Sequence, residues 1–121
     1  MSLLSIGMAN RDAKTDVLQG TLDLMVLYTL EALGPSHGYA VASRLEQVSS
    51  GALQLNMGTL YPALMRLEQR GYLRGAWGTT DSNRRARFYS LTAAGRRQLA
   101  AERDGWERMT AIMHNVLRNE V

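Results

Sequence analysis

The sequence predicts a mainly α fold with a small β wing: a winged helix-turn-helix continued by a long C-terminal helix. Three observations predict it. The stretch Gly58 to Leu73, GTLYPALMRLEQRGYL, is amphipathic at helical spacing; a strand, a turn and a second strand follow it and carry Arg84, Arg85 and Arg87; and a last run of apolar residues recurs at near-heptad intervals up to Leu117. A helix followed by a hairpin with a cationic tip suits a protein that lays the helix in a DNA groove and presses the hairpin on the backbone.

Composition bounds this reading. At 121 residues the chain has room for one domain with one modest core, and 45% apolar with 21% charged residues is ordinary for a globular protein. The net charge of +3 is mild, but five of the fourteen basic residues fall between Arg84 and Arg97, with only Asp81 offsetting them nearby. Phosphate attraction is a local field, so the patch matters more than the average. The absence of cysteine excludes disulfides and Cys-based zinc sites and agrees with a reducing compartment. No apolar run approaches the roughly 18 residues of a membrane span. The N-terminal MSLLSIGMANRDAK has neither a basic leader nor a small-residue cleavage site, so no secretory signal is expected. The expectation is a cytoplasmic protein with three parts: residues 1–15 an N-terminal extension, 16–91 a DNA-binding winged domain, and 92–121 a dimerisation helix.

The elements follow in order. Asp16 to Leu33 is helical and apolar on most sides, with Asp16 and Gln19 as a capping box, Asp16, Gln19 and Asp23 as a narrow wet strip, and Gly34-Pro35 as the stop. One small core covers one side, and a partner is expected over the other, at Leu18 and Leu22. A second helix starts after Ser36 or His37 and runs to about Gln47, burying Val41, Ala42, Leu45 and Val48. The alternation Leu53-Gln54-Leu55 reads as a small edge strand. In the third helix Met57, Leu60, Leu64 and Leu67 form the core face, leaving Gly58, Thr59, Pro62, Met65, Arg66 and Gln69 outward and Tyr61 on the flank. Its start is open: Asn56 is a good N-cap but leaves Pro62 past the first turn, whereas Thr59 as cap makes Pro62 harmless; Gly71 ends the helix. Tyr72 to Gly78 and Arg85 to Leu91 are strands around the turn formers Thr79 to Asn83. Thr92 caps a last helix of about 25 residues, or about 37 Å. Its stripe Leu99, Trp106, Met109, Ile112, Met113, Val116 and Leu117 overhangs so small a domain, and a homodimer packed along it is the economical explanation.

Several of these side chains suit DNA. Thr59 and Arg66 can donate to base edges, Tyr61 can meet a phosphate or a thymine methyl, and arginines suit phosphate forks and narrow minor grooves. Free backbone N–H groups near His37, Gly38 and Tyr39 form a phosphate anchor. So few base-reading groups imply that DNA shape and half-site spacing, roughly 34 Å, carry much of the specificity. An enzyme is the weakest reading: no nucleophile paired with histidine, no glycine-rich phosphate loop and no metal-ligand cluster occurs, and no cofactor is expected. A winged module that binds another protein without touching DNA is the alternative.

Three blocks, in order, are familiar: LQGTLDLMVLYTLEALGPSHGYAVASRLE, GTLYPALMRLEQRGYL and NRRARFYSLTAAG. The sequence resembles the PadR family of bacterial transcriptional regulators over nearly its whole length, in the branch with a single C-terminal helix. The resemblance implies a homodimeric repressor that releases operator DNA when a small effector binds or the cell's state changes. It implies that Tyr61 reaches DNA, that Arg84, Arg85 and Arg87 form the basic wing, and that Trp106 faces its counterpart across the dimer axis and stacks on flat aromatic ligands. Met57 departs from the polar residue often found there, so no DNA contact is assigned to it. Met109 and Met113 are flexible enough to shape the walls of such an effector pocket.

Overall fold

Helix α1 (Arg11–Leu33) is the piece around which the others assemble. The computed structural model describes residues 11–118, with side chains from Gly20 onward; residues 1–10 and the side chain of Leu18 lie outside the described residues. α1 is already helical at Arg11, so Asp16 and Gln19 stand inside it and not at its start. It ends where expected, with Gly34 at φ +78° donating its N–H to the Leu30 carbonyl.

Then come β1 (Ser36–His37), α2 (Gly38–Val48), α3 (Met57–Gln69), β2 (Leu73–Thr79), β3 (Arg85–Leu91) and α4 (Ala93–Arg118). The strands form one antiparallel sheet in the order β1-β3-β2, so the molecule is a winged helix-turn-helix with a long C-terminal helix. The small third strand is Ser36–His37, paired with Tyr89 and Phe88, and not the expected Leu53–Leu55. The Leu53 N–H is taken by the Ser49 hydroxyl, and the Gln54 side chain bonds the Gly51 carbonyl, which commits this segment to a loop.

One core holds these elements together. Leu22, Val26, Leu27 and Leu30 of α1 meet Val41 and Leu45 of α2, Leu60, Ala63, Leu64 and Leu67 of α3, Leu73, Tyr89 and Leu99. Each buried leucine or valine among them contributes roughly 1.5–3 kcal/mol by leaving water. Leu22 and Leu99, expected at a dimer interface, are 6% and 4% exposed inside this core and are withdrawn from the interface. Apolar spacing marks a buried face but does not say who buries it.

Local signals set the helix ends. α3 starts at Met57 with Asn56 accepting the Thr59 N–H at 2.9 Å, which removes the late start at Thr59 and leaves Pro62 inside the helix. Pro62 has no N–H for the Gly58 carbonyl, but both residues are exposed, so water can serve that carbonyl. The other end closes as a Schellman turn: Tyr72 N–H reaches the Leu67 carbonyl, Gly71 N–H reaches Glu68, and Gly71 takes φ +80°. Thr92 caps α4 by accepting the Gly95 N–H at 3.0 Å while donating to the Gly71 carbonyl at 2.6 Å, which ties the start of α4 to the end of α3.

A charged pair links α1 to α3. Asp23, expected on a wet strip, is 7% exposed and accepts from Arg66 at 2.7 Å. Removing one partner strands a charge that burial has stripped of water. Because a quarter of the Arg66 side chain still reaches solvent, Arg66→Met is expected to cost about 2 kcal/mol in denaturant unfolding, below the range for a fully buried pair. The double variant Asp23→Leu with Arg66→Met is expected to recover part of that loss, and a single variant as stable as wild type contradicts the link.

Candidate nucleic-acid interface

The exposed side of α3 is short of polar groups. Thr59, Tyr61, Pro62, Met65 and Gln69 face solvent, with Tyr61 at 42% and Met65 at 48% exposure. Arg66, expected on this surface, turns inward to Asp23 and is withdrawn from it. The remaining hydrogen-bonding side chains are the Thr59 and Tyr61 hydroxyls and the Gln69 amide.

The wing supplies the cations. Its turn is closed by Thr80 N–H to the Arg84 carbonyl and by Asn83, which adopts φ +63° as asparagine tolerates. In the register, Trp77 lies opposite Arg87 and Thr79 opposite Arg85, so Trp77, Arg85, Arg87 and Tyr89 share one face of the hairpin. Arg84 and Arg85 are exposed. Arg87 is not free: its guanidinium donates to Glu68 of α3 at 2.5 Å. That hydrogen bond raises the Arg87 pKa further. Gly75 makes the reach possible, because a Cβ there would stand 2.5 Å from Arg87 Nε.

Around this bridge an aromatic cluster joins helix to wing. Tyr89 is 2% exposed, and burial first, then the neighbouring Tyr61 hydroxyl, push its hydroxyl up to about 12. Trp77 is 58% exposed, with the Arg85 guanidinium 5.0 Å and the Arg87 guanidinium 5.9 Å from its ring. Tyr61, Glu68, Arg85 and Arg87 are thereby brought to one side of the molecule, and Thr59 lies on the same helix. Sequence reasoning missed Trp77 and Glu68. The strand register was the signal for Trp77, since counting back from the turn puts it opposite Arg87. Nothing local marked Glu68.

At the start of α2, Tyr39 is 73% exposed, but the anchor is narrower than expected. His37 is the N-cap, its Nδ1 accepting the Ala40 N–H at 3.3 Å, and Gly38 is buried against Met57.

The far side of α1 carries the second candidate surface. From Trp106 to Arg118 every residue of α4 is exposed, Trp106, Met109, Ile112, Met113, Val116 and Leu117 among them at 49–76%. An apolar groove of about 550 Å³ runs between α1, α2 and α4, lined by Leu24, Met25, Tyr28, Leu45 and Val48, with Arg44 and Arg103 also in its wall. Arg103 lies 5.4 Å from the Tyr28 ring. A second hollow of about 340 Å³ has Trp106, Met109, Leu24 and Glu102 in its wall. Met113 lies outside that hollow, further along the stripe. Among the described residues, the buried Oε2 of Glu102 has no hydrogen-bond partner. No described helix is long and apolar enough to cross a membrane.

Comparison with known proteins agrees with this architecture. Residues 26–101 match the PadR-like transcriptional regulator family. A 37.1 kDa uncharacterised protein from a Streptomyces fradiae transposon is 36% identical over 99 residues, which are 81% of this chain but 27% of that protein. A PadR family transcriptional regulator from Eggerthella lenta superposes with a TM-score of 0.72 at 27% identity, covering 93% of this chain and 99% of its own. A transcriptional regulator from Clostridium thermocellum gives 0.73 at 26% identity, covering 83% and 96%. With its family residues spanning helix, wing and the start of α4, the chain belongs to the PadR-like transcriptional regulators.

Proposed function

We propose that the chain is a homodimeric repressor that holds operator DNA with paired α3 helices and wings and releases it when a flat aromatic effector enters the seam between protomers. Tyr39, Thr59, Tyr61, Arg84 and Arg85 are the DNA contacts in this reading, and Arg87 acts by holding the wing to α3. One observation carries it: the Glu68–Arg87 bridge fixes two exposed arginines beside the exposed face of α3. A surface turned only to water has no use for a cationic hairpin fixed to a helix. With so few base-reading groups on α3, phosphate contacts supply most of the affinity.

Dimerisation is supported by α4. A free helix of that length is marginal in water, so an overhang exposed on all sides needs a partner. The apolar groove beside Tyr28 and Val48 matches the exposed stripe in character, and a second copy supplies both surfaces at once. The effector site is then the hollow at Trp106 and Met109.

Three outcomes are expected. Changing Arg84 and Arg85 to alanine weakens duplex binding for all sequences and lowers the salt slope by about two units, one per phosphate contact; unchanged affinity and slope would favour the protein-binding alternative. Ile112→Glu sediments as a monomer, and a dimer of undiminished stability in that variant contradicts the proposed interface. A planar aminoacridine quenches Trp106 emission in the Trp77→Phe background, and the fluorescence anisotropy of the dye itself rises on binding that variant but not once Trp106→Ala is added. An anisotropy rise that survives the second change moves the site elsewhere.

A further inference from the structure

We propose that Trp77 is a positioning residue that presents Arg85 to duplex DNA. The inference rests on the DNA-binding reading above and adds to it a residue and a mode of action. An indole 58% exposed on a two-stranded ribbon contributes little to the core and leaves apolar surface in water. Its environment explains its presence. Arg85 lies diagonal to it in the ladder and places its guanidinium 5.0 Å from the ring.

A guanidinium held against an aromatic face keeps its N–H edge outward, and that edge is what forks onto a phosphate or enters a narrow minor groove. An unstacked arginine of the same charge would have to give up rotamer freedom each time it bound. The stacking therefore acts by preorganisation and adds no charge.

The same indole connects to α3. Arg87 lies 5.9 Å from the same ring and is itself held by Glu68. Glu68, Arg87, Trp77 and Arg85 thus form a continuous chain of contacts from the helix to the wing's exposed cation. Through it the distance between the α3 face and the Arg85 guanidinium is set by side-chain contacts in addition to the hairpin backbone.

The test is a double-mutant cycle on the full-length chain, read by the anisotropy of a fluorescein-labelled mixed-sequence duplex at several salt concentrations. Trp77→Thr keeps a β-branched residue in the strand, and Trp77→Phe keeps an aromatic face. Trp77→Thr is expected to weaken binding roughly two- to fivefold with most of the salt slope retained, since the charge remains. Arg85→Ala is expected to lower the slope by about one unit. In the Arg85→Ala background Trp77→Thr has no further effect; with Arg85 in place, Trp77→Phe keeps part of the affinity that Trp77→Thr loses. A Trp77→Thr variant that binds as wild type does, or that loses as much in the Arg85→Ala background as alone, overturns the inference and leaves DNA binding intact. A wild-type chain that ignores the duplex at low salt overturns both.

Discussion

The structure is governed by one constraint: α1 is apolar around most of its circumference, and a chain of this length has core enough for only one side. Leu22, Val26, Leu27 and Leu30 are covered by α2, α3 and the sheet, while Tyr28 stays half exposed and Leu24 and Met25 are only partly covered. The remaining surface forms the wall of a groove, and α4 departs from the same region carrying its own uncovered stripe. Two incomplete apolar surfaces on one small molecule are a stronger argument for self-association than either alone, because a second copy completes both without any other partner.

The second organising feature is the connection between α3 and the wing. Hairpins are weak structures by themselves, and a cationic one is further loosened by self-repulsion. Here Arg87 is neutralised by Glu68, laid over the bare backbone of Gly75, and flanked by Trp77 and Tyr89. The carboxylate that offsets the charge comes from the helix, so the same contact that stabilises the hairpin also fixes its direction. Arg84 and Arg85 remain exposed at the turn end of the wing, and Arg74 is exposed further back on β2. The Asp23–Arg66 pair joins α3 to α1, so α3 is held by charged contacts both to the wing and to α1.

Much of this was legible in the sequence where the signal is local. Gly34 and Gly71 end helices because they accept positive φ, Thr92 caps α4 through its hydroxyl, and the turn formers between Thr79 and Asn83 fix the hairpin. What was misread depends on contacts distant in the chain. A two-residue strand at Ser36 has no periodicity of its own and exists because β3 lies beside it. Arg66 has the spacing of an outward residue on α3, and only the fold shows that Asp23, 43 positions earlier, turns it inward. Leu22 and Leu99 follow the same apolar stripes as the exposed positions; burial within one chain or between two leaves the same mark on the sequence.

The most direct measurement is the mass of the protein–DNA complex, by sedimentation or native mass spectrometry, on genomic fragments selected by the chain itself. Two chains per bound duplex is the expected result, with the protected region extending over two half-sites about one helical turn apart. A single chain on each duplex, with no tendency to pair on or off DNA, contradicts the account.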